Sequence, residues 1–102
     1  MRDLVPAGSV EILPIDVALV LYEFPEVSTP SAEYQLVRPR LPSATLHVRV
    51  EYDAAAGVEP AALTARLTGR LRARLGVTAE LELVARGAVP RFAYKAARVV
   101  DG

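Results

Sequence analysis

The feature that most constrains this fold is one amphipathic segment that lies between two segments in which apolar and polar side chains alternate. Residues 44–52 alternate apolar and polar side chains, which is typical of a half-buried strand. Residues 79–85 alternate in the same way. Between them, leucines recur every four residues from Leu63 to Leu75, which predicts a helix with one buried face. The segment order strand, helix, strand therefore makes up the second half of the chain.

The first half predicts the same order of elements. Residues 10–12 favour a short strand, and Pro14 begins an almost wholly apolar helix that Pro25 ends. Residues 33–38 look like a strand. The series strand, helix, strand, strand, helix, strand, followed by a tail, predicts an α+β fold of the ferredoxin-like kind. We expect a two-layer sandwich, with a mostly antiparallel sheet covered on one face by two helices.

Length and composition limit the functions that the chain can perform. Its 102 residues suit a single domain over 1–102, and its formal net charge of zero provides no global field for nucleic acid or an anionic membrane. It has no cysteine and only one histidine, His47, so we expect no metal site. No apolar run approaches the roughly 20 residues that span a bilayer, and no secretory signal is present. We expect a cytoplasmic domain.

Several motifs in one order identify a family. An acidic residue, Asp3, comes first, and the closing residues are Pro90, Arg91, Lys95 and Arg-Val-Val-Asp. The other matching segments are residues 14–17, 24–27, 33–37, 46–51 and 83–91. Together they resemble the C-terminal domain of phenylacetate–CoA ligases, a branch of the AMP-forming adenylate-forming enzymes. The resemblance covers nearly the whole chain.

The resemblance implies a mobile lid domain that works with a large N-terminal adenylation domain, in the same chain or as a separate subunit. ATP, Mg²⁺ and coenzyme A are implied for the full enzyme, and none is expected to bind this domain alone. Lys95, the one lysine among 12 basic residues, falls at the position of the family's catalytic lysine. Asp3 falls at the hinge, and Arg91 and Tyr94 are weaker substrate-binding candidates.

The chain departs from the family pattern at two glycines. Between Arg91 and Lys95 the family has a Ser-Glu-Gly-like stretch, whereas this chain has Phe92, Ala93 and Tyr94. Ser9 stands where a glycine is expected soon after the hinge. The chain also lacks a glycine-rich phosphate loop of the Ser/Thr-Gly-Lys kind, so we expect no adenylation by the isolated chain.

Two basic features have alternative interpretations. Four arginines run beside the leucine stripe and would either contact an acidic partner or the phosphates of coenzyme A, or form a solvated helix face; these are Arg66, Arg70, Arg72 and Arg74. His47 lies on the polar side of its strand and suits a structural role better than a ligand role.

Two functions from different classes remain open. The first is the lid domain of a phenylacetate–CoA ligase-like enzyme, which contributes Lys95 to acyl-adenylate formation. The second is a non-catalytic interaction module, whose exposed sheet face or edge would bind a small ligand or a second copy of the chain.

Overall fold

The computed structural model describes residues 4–28, 32–38, 44–53, 55, 57–89 and 99–101. Within these residues the elements follow the order strand, strand, helix, helix, strand, strand, helix, strand, strand. The strands are β1 (Val5–Ala7), β2 (Val10–Ile12), β3 (Tyr34–Arg38), β4 (Thr45–Glu51), β5 (Thr78–Val84) and β6 (Val99–Asp101). The helices are α1 (Pro14–Leu21), α2 (Pro25–Ser28) and α3 (Pro60–Leu75).

The chain begins with a hairpin rather than a single short strand. β1 pairs with β2 in antiparallel register, from Val5 opposite Ile12 to Ala7 opposite Val10. The two residues between the strands are Gly8 and Ser9, and Gly8 has a φ of 65°. A glycine at the first central position, followed by a residue of ordinary φ, suits the type II′ turns that fit the twist of a hairpin. Ser9 therefore lies in the turn and not within a strand.

The apolar segment after the hairpin forms two helices instead of one. The Asp16 carboxylate accepts the Leu13 N–H at 2.9 Å, which caps the start of α1. The predicted end at Phe24 was wrong, because α1 ends at Leu21 and Tyr22 caps it with an N–H donated to Ala18. Pro25 does not end the first helix but begins α2, which suits a residue that has no N–H to donate.

The leucine stripe forms α3, as predicted. The Glu59 carboxylate accepts the Ala62 N–H at 2.7 Å at the N-terminus. Gly76 ends the helix with a φ of 71° and an N–H donated to Arg72. Leu63, Leu67 and Leu71 are fully buried, whereas Leu75 is partly buried.

The main sheet has the strand order β5-β4-β3-β6. Only β3 and β4 are antiparallel, whereas β5 is parallel to β4 and β6 is parallel to β3. The expectation of a mostly antiparallel sheet is therefore corrected to a mixed sheet. The reason is that α3 carries the chain back along the sheet, so β5 runs in the same direction as β4. The predicted C-terminal tail contains β6.

The α+β class and the covering of one sheet face are confirmed. One face of the sheet places Leu36, Leu46, Val48 and Val50 in the same core as the buried residues of α1 and α3. The opposite face is mostly polar, yet two of its side chains, Gln35 and Glu51, are also buried. Among the described residues, no helix is both long and apolar enough to cross a bilayer.

Candidate functional site

The four residues that the sequence assigns to the site lie outside the described residues. These residues are Asp3, Arg91, Tyr94 and Lys95. The structure does describe the chain on either side of them, namely Leu4 after the hinge position, and Val89 and Val99 around the lysine segment. These flanks show how the domain holds the segments that carry the predicted site.

A buried carboxylate holds the chain just before the lysine segment. Val89 donates its N–H to Glu51 Oε2 at 2.8 Å. Both residues are almost completely buried, with exposures of 1% for Val89 and 3% for Glu51. A buried carboxylate is costly unless hydrogen-bond donors compensate it, so this contact fixes the main chain next to Pro90. Strand alternation alone predicts a solvated Glu51, because it follows the inward-facing Val50, and no local signal predicts its burial.

The chain after the lysine segment joins the same sheet. β6 pairs with β3 from Leu36 opposite Val99 to Arg38 opposite Asp101. The described chain is thus attached to the four-stranded sheet at Val89, next to the end of β4, and again from Val99, along β3.

Arg38 connects the two termini of the domain. Its guanidinium Nη2 donates to the Leu4 carbonyl at 3.2 Å. Its backbone lies opposite Asp101 in the β3–β6 register. The residue that follows the predicted hinge and the strand that follows the lysine segment therefore meet at one end of β3. Sequence analysis did not single out Arg38, since its partners are distant along the chain.

The polar face of the sheet carries paired charges. His47 Nδ1 lies 3.1 Å from Glu80 Oε2, and Arg49 contacts both Glu82 at 3.3 Å and Gln35 at 3.0 Å. The side chains of His47, Arg49, Glu80 and Glu82 help to line an open groove of about 680 Å³, which Thr64 and Thr68 of α3 also line. Because each acidic side chain of the groove is paired with a basic side chain, the groove suits a polar ligand or surface better than a strongly charged one. The structural role predicted for His47 stays a prediction, and Glu80 is its partner on this face of the sheet.

The four arginines beside the leucine stripe bind side chains of this domain. Arg66 donates to Glu26 at 2.9 Å, Arg70 donates to Glu23 at 2.7 Å, and Arg74 lies 3.9 Å from the same Glu23. Arg72 donates to the Thr78 hydroxyl at 2.9 Å. The predicted exposed face is therefore a set of surface ion pairs and hydrogen bonds, and such pairs contribute little to stability individually.

One of these pairs affects the ionisation of its acid. A backbone hydrogen bond, followed by the hydrogen bond from Arg66, lowers the pKa of Glu26 from its ordinary value of 4.5. Among the described residues, no group of three or more acidic or histidine side chains could hold a metal ion.

Structure comparison places this geometry among CoA ligases. A 2-hydroxyisobutyryl-CoA ligase, in the postadenylation state with 2-HIB-AMP, matches with a TM-score of 0.82 and 27% identity over 98% of this chain. The match covers 22% of that ligase chain. A solved domain of phenylacetate-coenzyme A ligase from Bacteroides vulgatus ATCC 8482 matches with a TM-score of 0.77 and 28% identity, covering 98% of this chain and 92% of that one.

The fold and its flanking anchors thus define a small domain of the kind that acyl-CoA ligases carry. The family model of the AMP-binding enzyme C-terminal domain matches residues 9–102. The chain belongs to this family, which confirms the family resemblance predicted from its motifs. A sequence search of curated proteins finds no match.

Proposed function

We propose that residues 1–102 form the lid domain of a phenylacetate–CoA ligase-like enzyme, which donates Lys95 to acyl-adenylate formation. The family match over residues 9–102 carries this proposal. The similarity to a 2-hydroxyisobutyryl-CoA ligase in the thioesterification state, in complex with 2-HIB-AMP and CoA, at a TM-score of 0.77, supports it.

The remainder of the enzyme would be a large adenylation domain, in the same chain or in a separate subunit. This chain spans only about a fifth of the 2-hydroxyisobutyryl-CoA ligase that it matches, as the covered share of 22% indicates. The large domain would bind ATP with Mg²⁺, the acyl acid and most of coenzyme A. The isolated lid would form no acyl-adenylate.

Lys95 would stabilise charge during the first half-reaction. A carboxylate oxygen of the acid attacks the α-phosphorus of ATP, the new P–O bond forms, and the bond to pyrophosphate breaks. Negative charge accumulates on the phosphate oxygens, and an ammonium aimed at them in a water-poor site lowers the barrier. Arginine is a poor substitute, because its broad planar fork does not reproduce a compact charge. Arg91 and Tyr94 would contact the substrate beside it.

The sheet offers a rigid support for this role. Glu51 holds the chain at Val89, and β6 holds it again at Val99, so the lysine segment would move together with the domain. Arg38 binds Leu4, the residue after the hinge acid Asp3. A rotation about Asp3 would then carry the sheet and Lys95 as one body, as lid motions in enzymes require.

The decisive experiment assays the two half-reactions separately, in the chain joined to its large domain. Lys95→Ala should slow ATP–pyrophosphate exchange by roughly 10²–10³-fold, the usual cost of losing one preorganised charge contact. Lys95→Arg should also be impaired. Thioester formation from a pre-made acyl-adenylate should change far less. Arg86→Ala, which removes a surface charge near Asp53, is the matched control and should leave both rates unchanged.

Unchanged exchange in Lys95→Ala would overturn the catalytic role. The domain would then serve as the non-catalytic interaction module, and the groove between His47 and Glu82 would be the first surface to test.

A further inference from the structure

The outer side of α1 carries an exposed apolar surface that the proposed lid function does not use. Ile15, Leu19 and Tyr22 recur at helical spacing and expose 56%, 57% and 59% of their surface. Leu13, just before the helix, is 39% exposed. These four residues are hereafter the α1 patch. The other side of the helix is buried in the core through Val17, Val20 and Leu21, among others, so α1 is apolar on nearly every side.

The α1 patch is large enough to form the centre of an interface. At about 200 Å² for a fully exposed side chain of this size, its four residues present on the order of 400 Å². Exposed apolar patches of this extent are often functional. Two such patches facing each other would bury on the order of 800 Å² of mostly apolar surface, and a polar rim would raise the total above the roughly 1,000 Å² expected of a specific interface.

The charges around the α1 patch have opposite signs at its two ends. At the N-terminal end lie the exposed Glu11 and the helix-capping Asp16. Glu11 is on the same side as Leu13, because the intervening Ile12 is buried. At the C-terminal end, Arg70 and Arg74 share the single carboxylate of Glu23, which leaves an excess of positive charge.

We propose that the α1 patch is a self-association surface, on which two copies of this chain pair through antiparallel α1 helices related by a two-fold axis. In that arrangement the acidic end of each helix faces the basic end of its partner. The dipoles of the two antiparallel helices also attract each other. A parallel arrangement would bring like charges together. Leu19, near the middle of the patch, would lie close to the two-fold axis and meet its own copy.

The pairing is compatible with the proposed function and does not depend on it. The α1 patch belongs to the helical layer, whereas Glu51, which holds the start of the lysine segment, follows the inward-facing Val50 and so points to the opposite face of the sheet. A dimer formed through α1 would leave that face uncovered.

The first test is sedimentation velocity on the 102-residue chain from about 1 μM to about 1 mM, the range suited to an interface of this size. We expect a concentration-dependent dimer. Leu19→Glu should raise its dissociation constant by roughly 100-fold or more, since it buries a charge at the interface centre. Ala65→Glu adds the same charge on the exposed side of α3 and is the matched control. A chain that stays monomeric throughout, or a dimer that Leu19→Glu leaves intact, overturns the proposal.

The second test needs no destabilised variant. Because the chain has no cysteine, Leu19→Cys introduces a single thiol, which a short bismaleimide should cross-link to its own copy. Ala65→Cys should remain largely uncross-linked, and equal cross-linking of the two variants contradicts the proposed surface.

The charge arrangement has a test of its own. Glu11→Arg and Arg74→Glu should each weaken the dimer, and the double variant should restore it. Failure of the double variant to recover dimerisation refutes the antiparallel arrangement. If the α1 patch contacts only the large adenylation domain and the chain itself stays monomeric, self-association is likewise overturned. Neither result bears on the half-reaction assays of Lys95.

Discussion

Replacing Glu51 by alanine tests whether the buried carboxylate holds the chain in front of the lysine segment. The substitution removes the acceptor of the Val89 N–H, a hydrogen bond of 2.8 Å between residues that are 3% and 1% exposed. Water cannot readily replace the lost acceptor at so buried a position. The substitution should therefore leave an unsatisfied donor within the fold.

The expected cost follows from this burial. An orphaned buried N–H costs about 1–3 kcal/mol. Loss of the one buried methylene that alanine lacks adds roughly 0.8 kcal/mol. Glu51→Ala should therefore lower the free energy of unfolding by about 2–4 kcal/mol, whereas Glu51→Gln, which keeps an acceptor oxygen and the volume, should cost less than half of that.

Urea denaturation at neutral pH measures these differences, and amide hydrogen exchange at Val89 locates them. The Val89 amide should lose protection by roughly tenfold or more in Glu51→Ala. Glu82→Ala is the matched control, since Glu82 lies on the same face of the sheet but its side chain is 65% exposed. If the free energies of unfolding of Glu51→Ala and Glu82→Ala agree within about 0.5 kcal/mol, the reasoning about the buried anchor fails.

Two glycines of one helix should respond to alanine with opposite signs. Neither added Cβ meets another atom within 4 Å, but Gly76 has a φ of 71° and Gly69 does not have a positive φ. Gly69→Ala should therefore stabilise the domain by about 0.5–1 kcal/mol, and Gly76→Ala should destabilise it by about 1–2 kcal/mol. Thermal melts in which both variants change stability in the same direction would refute this account. Glu26 should make stability depend on pH. Its pKa is lower in the folded chain than the ordinary 4.5, so its contribution is present above that value and is lost as the pH falls through the lowered folded pKa. Acid titration of unfolding should show Glu26→Gln less stable than the wild type at neutral pH and equal to it at the lowest pH, and a constant difference would contradict this assignment.

The local elements of the chain were largely determined by sequence alone. α3, from Pro60 to Leu75, forms around the leucine period that predicts it, because its caps and this period act between residues only a few positions apart. β4 likewise buries Leu46, Val48 and Val50 on one face. The family followed from motifs that stand in one order along nearly the whole chain, and the match to residues 9–102 confirms it.

The sequence was less informative where one residue is typical both of the end of a helix and of the start of the next helix. Pro25 disfavours a helical residue before it and suits the first position of a helix after it. The continuous apolar run of residues 15–24 gave no sign that one helix ends within it. The structure shows that α2 begins at Pro25.

Tertiary structure decided which strands meet and which polar groups are buried. The parallel direction of β5, the addition of β6 beside β3 and the burial of Glu51 against Val89 all join residues far apart along the chain. Alternation shows that a side chain points away from the core side of a strand, but not whether another segment covers it there. Such a covering contact depends on the path of the whole chain, and Glu51 became an anchor rather than a solvated acid because that path returns Val89 to the end of β4.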